Sequence, residues 1–459
     1  MSEAKLESNV SYFKWEIPAE AMKIIAKYFK SSKDYINVMK VCKKYKPLIP
    51  KFNCNEEKNS VQEREGKDAI EEREISIRDQ WFNECTSLTS VQLPSTLVSI
   101  GKEALEESNV QSIEIPEGVT SIGDRLFKNC SSLTSVQLPS SLVSIGDHAF
   151  SWTKIESVII PEGVTSLGVD SFSGCRSLTS VQLPSTLRSI DDYAFFRSGI
   201  REIIIPEGVS LIGDECFNEC YSLRRIQLAS SLEYIGKSVI RITNIKEVTI
   251  PEGVTSIGSQ VFAVCTSLTS VQLPSTLVSI SDKAFYLSNI ERITIPEGVT
   301  SIGNDCFAGC KQLVEVIMPM RMKHIGDHAF DETGISSIMI PEGVTTIGEY
   351  CFYGCTSLTS VQLPSSVKSI GKSSFMFTAI KEMIIPEGLT MIGKYSFKEC
   401  YSLTSVQLPT SLTSIGQFAF NATKGEGLKS RLSEVEVPKN CRIEHGAFSK
   451  KCLIKRKEF

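Results

Sequence analysis

The stretch CSSLTSVQLPSSLVSIGDHAF, residues 130–150, is followed at residues 160–172 by IPEGVTSLGVDSF, and together they make one block of a 45-residue repeat. The cysteines keep its register: Cys85, Cys130, Cys175, Cys220, Cys265, Cys310, Cys355 and Cys400 are spaced by 45 residues without a slip. Within each block the prolines divide the period unequally. Pro94, Pro116, Pro139, Pro161, Pro184 and Pro206 alternate spacings of 22 and 23, and the alternation resumes from Pro251 to Pro409. Each block is therefore two unequal turns of a solenoid, one long and one short. A period running from about Ile75 to Pro438 replaces the several globular domains that 459 residues would otherwise suggest with one elongated array.

The apolar positions predict how a turn is built. In the long turn Leu133, Val136 and Leu138 follow the spacing LxxVxL, which fits a strand with Val136 and Leu138 inward and Gln137 outward. Stacked identical turns then make a parallel sheet along one side of the coil, with every buried position repeated as a column. Pro161-Glu162-Gly163 fits a tight turn after the strand, as does Pro139-Ser140-Ser141 in the long turn. Val164 to Leu167 reads as a second short strand. Gly168 through Phe172 reads as a single helical or 3₁₀ turn that brings the chain back.

Fifteen cysteines invite a disulfide or metal framework, but the repeat argues otherwise. Stacked strands rise about 4.8 Å per turn, so cysteines on every second turn lie roughly 10 Å apart, beyond the reach of a disulfide. In the intervening turns the same position holds Ser108, Thr153, Ser198, Thr243, Ser288, Thr333, Thr378 and Thr423. The column is read as a ladder of small side chains that satisfy backbone carbonyls at a bend. Cys216, Cys306 and Cys351 add CxxxC pairs, which without a nearby histidine are read as small buried hydrophobes. No cofactor or metal is expected.

The net charge of −4 gives no reason to expect nucleic acid or an anionic membrane. Residues 1–15 hold no apolar core of a secretory signal, and no run approaches eighteen apolar residues. With reduced thiols, these features place the chain inside the cell, in the cytoplasm; display at the cell surface by a route without a signal peptide is the alternative.

The 130–150 and 160–172 patterns resemble the leucine-rich repeats of the BspA-like, or Treponema-type, family, and the resemblance covers about four fifths of the chain. It implies a horseshoe or superhelix that binds proteins, as in members described as surface antigens or adhesins. A second resemblance lies in residues 1–55. Ile17, Pro18, Ile25, Val41, Cys42 and Tyr45 stand where an F-box would place its contacts, on a small helical module that docks a Skp-type adaptor of a cullin ubiquitin ligase. The same segment also reads as a helical cap on the first turn of the solenoid. Residues 56–74, rich in Glu with Lys and Arg, read as a charged linker, leaving 75–459 as the solenoid of about sixteen turns with a C-terminal cap.

Four histidines, with no nucleophile or ligand motif beside them, argue against an enzyme. Binding is expected on the outward strand face. There Gln137, Gln182 and Gln227 alternate with Ile159, Ile204 and Thr249, a surface that suits either stacking of neighbours or a partner. Residues 85–100 and 265–280 are identical, so specificity is sought where the face departs from the repeat. Arg201, Glu202, Arg224, Arg225, Lys246, Glu247, Glu291, Arg292, Val314, Glu315 and Ile317 form a charged central region, with Arg224 and Arg225 as anchors for a protein ligand. The leading function is a non-catalytic interaction scaffold. A ubiquitin-ligase substrate receptor and a surface adhesin are the alternatives.

Overall fold

The computed structural model describes residues 75–93, 95–422 and 430–458. The F-box-like positions Ile17, Pro18, Ile25, Val41, Cys42 and Tyr45, the charged linker and Thr423 lie outside the described residues. The described part is an unbroken repetition of short parallel strands and turns, and it contains no helix.

Between Ser112 and Ile443 each turn carries two strands. In the block from Cys130 they are Ser135–Gln137 and Ser144–Ile145 in the long turn, then Ser157–Ile159 and Ser166–Leu167 in the short turn. The second strands, only two residues each, form the longer sheets: six strands from Ser121–Ile122 to Tyr234–Ile235, four from Ser256–Ile257 to His324–Ile325, and five from Thr346–Ile347 to Arg442–Ile443. The first strands pair only in twos, each short-turn strand with the long-turn strand after it, as Ser157 opposite Ser180 and Glu202 opposite Arg225. A corner residue accounts for the asymmetry. Cys130 precedes Val136 by six positions whereas Thr153 precedes Val158 by five, so a long turn inserts one residue between corner and strand. A short turn therefore meets the long turn before it through corner bonds, Lys154 N–H to Leu133 O at 2.9 Å and Glu156 N–H to Thr134 O at 3.1 Å.

The return segment is only in part the helical or 3₁₀ turn expected of residues 168–172: Ser171 and Ser173 donate to Gly168 O and Asp170 O at 3.2 and 3.1 Å, three residues back, but the groups between them leave the segment. Asp170 (φ 54°) and Gly174 (φ 72°) are left-handed, and the N–H groups of Asp170, Phe172 and Gly174 donate to Asp192 O, Ala194 O and Phe196 O of the next turn at 2.9, 2.8 and 2.7 Å. A helix would direct those groups along its own axis. Here they point along the solenoid axis, which satisfies the backbone of every turn by its neighbour. The arrangement makes a left-handed residue obligatory twice per turn, and most of these positions are not glycine.

Tight turns after the first strands are locked the same way. Gly163 (φ 106°) donates its N–H to Thr186 Oγ1 at 3.0 Å, and the Glu162 carboxylate accepts the Ser185 N–H at 3.1 Å and hydroxyl at 2.9 Å. Glu117, Glu207, Glu252, Glu342 and Glu387 repeat the device on Ser140, Ser230, Ser275, Ser365 and Thr410. Where Met320 replaces that serine, Glu297 keeps only a backbone bond, at 3.3 Å.

The core is a set of columns. Phe127, Phe150, Phe172, Phe195 and Phe217 stack with ring centroids 5.1–5.5 Å apart, all fully buried. Ile240 interrupts the stack, with Val239 beside it in place of the usual alanine, cysteine or serine, and the stack resumes from Phe262 to Phe448. No described turn has a core of its own. Each ring is covered by the rings above and below, so stability is a sum over neighbours.

Candidate partner-binding face

The first strands alternate exposed, buried, exposed, which turns two residues of each strand and the residue before it to solvent. Three exposed columns result. All eleven central residues, Arg201, Glu202, Arg224, Arg225, Lys246, Glu247, Glu291, Arg292, Val314, Glu315 and Ile317, are exposed on this face. They fall in order along the coil. Arg201, Arg224, Lys246, Glu291 and Val314 occupy the column before the strand, Glu202, Arg225, Glu247, Arg292 and Glu315 the first strand position, and Ile317 the third.

Two features of the face differ from a compact charged patch. Arg292 and Glu315 are register partners and form an ion pair, so part of the central charge is matched within the chain. The charge also runs past the centre: Glu156 and the pair Lys381-Glu382 occupy the same columns on short turns farther out. Alignment of the short turns alone would have shown this. The third column is apolar at intervals. Ile159 and Ile204 are each 66 % exposed, Ile317 52 %, Met339 64 % and Ile384 65 %, too open for mutual stacking to bury them. Glutamines stand between, and Thr249 Oγ1 donates to Gln272 Oε1 at 3.1 Å.

The cysteine column is chemically quiet for a physical reason. Its cysteines are buried, and their thiols bond backbone of the turn before: Cys130 Sγ donates to Leu105 O at 3.0 Å with Ser108 Oγ at 3.4 Å, and Cys355 Sγ to Phe330 O at 3.0 Å with Thr333 Oγ1 at 3.2 Å. The ladder of small residues thus exists, and its members serve the bend in two ways. Thr243, Thr333 and Thr378 donate at 2.9 Å to Ile240 O, Phe330 O and Phe375 O three residues back, as expected, whereas the cysteines reach the carbonyl 25 residues back, at the bend of the turn before. Burial pushes the Cys130 and Cys175 thiols up to about 11 and Cys310 to about 12, which removes thiolate at neutral pH. The equivalent histidines His148 and His328 have different partners, Asp170 at 3.8 Å and Asp331 at 2.9 Å, so they form no repeated catalytic unit. Burial first, opposed by His328, raises the Asp331 carboxyl. Among the described residues no group of three or more His, Cys, Asp or Glu is arranged to hold a metal. A cleft of about 350 Å³ near Arg176 and Tyr221 presents Arg197, whose guanidinium is already held by Glu219 at 2.8 and 3.2 Å. Nor is any described helix long and apolar enough to cross a membrane.

Comparison with known proteins agrees with this construction. A leucine-rich repeat protein of Bacteroides ovatus is 32 % identical, covers 76 % of this chain and 92 % of its own, and superposes with a TM-score of 0.69. A leucine-rich cell surface protein of Faecalibacterium prausnitzii is 26 % identical over 84 % of this chain and 83 % of its own, with a TM-score of 0.41. A leucine-rich repeat protein of T. pallidum is 24 % identical over 44 % of this chain and 78 % of its own, with a TM-score of 0.31. No curated protein matches the sequence. The BspA type leucine-rich repeat region, in six copies, matches residues 68–175, 143–252, 240–346 and 323–455. From the 45-residue period through the stacked columns to these matched spans, the chain belongs to the BspA type leucine-rich repeat family.

Proposed function

We propose that the chain is a non-catalytic protein-interaction scaffold that engages a protein partner with the outer face of its first strands. The observation that carries this reading is the third exposed column. Ile159, Ile204, Ile317, Met339 and Ile384 hold apolar side chains more than half open to solvent on one regular surface, beside two charged columns. Exposed apolar groups spaced along a surface beside charge are what a partner buries, with the apolar groups supplying affinity and the charges orientation. Arg224 and Arg225, side by side at one turn, are the anchors proposed for a foreign partner.

The test is affinity capture from the protein's own cell with quantitative mass spectrometry. Ile204→Glu with Met339→Glu, and separately Arg224→Glu with Arg225→Glu, should release the captured protein. Val143→Glu with Val278→Glu, on the exposed face beside the second strands, should retain it. Retention by both strand-face variants and release by the control would refute the assignment of the face.

A further inference from the structure

The strand face is complementary to itself. With the turn of Gln272 as the centre, turns can be counted outward in both directions. One turn out, Lys246 and Glu247 lie on one side, Glu291 and Arg292 on the other. Two turns out the strands begin with Arg225 and Glu315. Five turns out the residue before the strand is Glu156 on one side and Lys381 on the other. At each of these positions the two sides carry opposite charge in the same column.

This symmetry has a structural meaning. A two-fold axis parallel to the strands and passing over Gln272 brings the face of a second copy onto the first with the coils antiparallel, and each column meets its own copy. Lys246 then faces Glu291, Glu247 faces Arg292, Arg225 faces Glu315 and Glu156 faces Lys381. The ion pair between Arg292 and Glu315 within one chain lies against Glu247 and Arg225 of the other, so the four charges alternate around a square. In the apolar column Ile204 meets Met339 and Ile159 meets Ile384, the most exposed apolar residues of the strands. Across five turns either side of the axis no like charges meet.

Other centres fail. An axis over Gln227 sets Arg201 against Lys246 and Glu202 against Glu247. One over Thr249 sets Lys246 and Glu247 on their own copies, and one over Ile317 opposes Lys246 to Lys381 and Glu247 to Glu382. Like charges placed directly opposite are strongly disfavoured at an interface. We therefore propose that the chain forms an isologous, antiparallel dimer through its first-strand face, centred on Gln272. The proposal rests on the reading of that face as an interaction surface and names a second copy of this chain as an occupant.

The experiment is sedimentation velocity on the full chain over a range of concentrations, at low and high salt. A dimer that weakens with salt is expected. Glu247→Arg alone and Arg292→Glu alone should each weaken it about tenfold or more, since the two-fold axis repeats every altered contact. The double exchange, Glu247→Arg with Arg292→Glu, should restore dimerisation, which a folding defect could not do. Gln272→Cys, placed on the axis, should cross-link to its own copy under oxidation, while Gln137→Cys, six turns away, should not. A wild-type chain that stays monomeric at every concentration overturns the proposal, as does a dimer indifferent to the exchange or cross-linked equally at both positions. In that event, capture of a foreign protein that is lost in Ile204→Glu with Met339→Glu would leave the broader function standing.

Discussion

Replacing Phe307 by alanine removes one ring from the middle of the core stack. Phe307 is fully buried, with Phe285 at 5.2 Å and Phe330 at 5.3 Å and interplanar angles of 3° and 9°. The truncation empties about 100 Å³, and an uncollapsed cavity of that size costs about 2.4 kcal/mol at about 24 cal/mol per Å³. Two ring contacts are lost as well, at about 0.5–1.5 kcal/mol each, which places the total near 4 kcal/mol. Phe307→Ile should cost less than Phe307→Ala, because isoleucine refills most of the space and Ile240 occupies the same column fully buried, but more than nothing, because both ring contacts are lost. Phe377→Ala, at a ring 37 % exposed with one edge contact to Tyr353, should cost less than Phe307→Ala. Urea unfolding followed by circular dichroism gives the ranking. Hydrogen exchange gives the locality: since turns couple only to neighbours, amides between 285 and 330 should lose protection before those of the end turns. A cost below about 1 kcal/mol for Phe307→Ala, or loss of protection spread evenly along the coil, would refute the nearest-neighbour account.

Three more outcomes follow from the same columns. The Glu117, Glu162, Glu252, Glu342 and Glu387 carboxyls are held below their ordinary value of 4.5, foremost by the backbone N–H of the serine or threonine one turn on, and Glu207 foremost by the Ser230 hydroxyl. Their folded pKa is depressed, so their contribution is complete above 4.5 and disappears as pH falls through the lowered values. Thermal scans should show stability dropping below about pH 4.5, with a smaller drop in Glu162→Gln; an equal drop would contradict the assignment. The buried thiols of Cys130, Cys175, Cys220 and Cys310 should resist alkylation in the native protein at pH 8 and react only on denaturation, read by mass spectrometry. Val264→Gly should stabilise by about 0.5–1 kcal/mol, because Val264 is β-branched at φ 60° where other turns have Gly174, Gly309 and Gly354; destabilisation would contradict it.

The sequence carried the repeat because every residue of a solenoid sees chiefly its own copy above and below. That is why Phe150, Val158 and Leu133 could be assigned inward and Ile159 outward from spacing alone, and why the cysteines could be separated from disulfide chemistry. What spacing does not contain is the offset between neighbouring turns. The extra corner residue of each long turn is visible in the alternating 22 and 23, yet its effect, strands paired in twos beside longer sheets of two-residue strands, appears only when turns are stacked. Residues 168–172 read as a helical or 3₁₀ turn, but alternate N–H groups there go to carbonyls of the next turn, which no single turn reveals.

The face shows the same division. Exposure of Arg225, Glu247 and Arg292 was legible, since strand alternation decides which side a residue takes. Their relation was not, because Arg292 meets Glu315 only across a turn boundary 23 residues long, and the antisymmetric order of charge about Gln272 becomes a surface only when the columns are laid side by side. By itself the sequence determined the period, the core columns and the outward side, all of which depend on local alternation and on identical neighbours. The tertiary structure alone decided which backbone groups answer one another and which charges are already matched, because those depend on distances between turns that no single turn encodes.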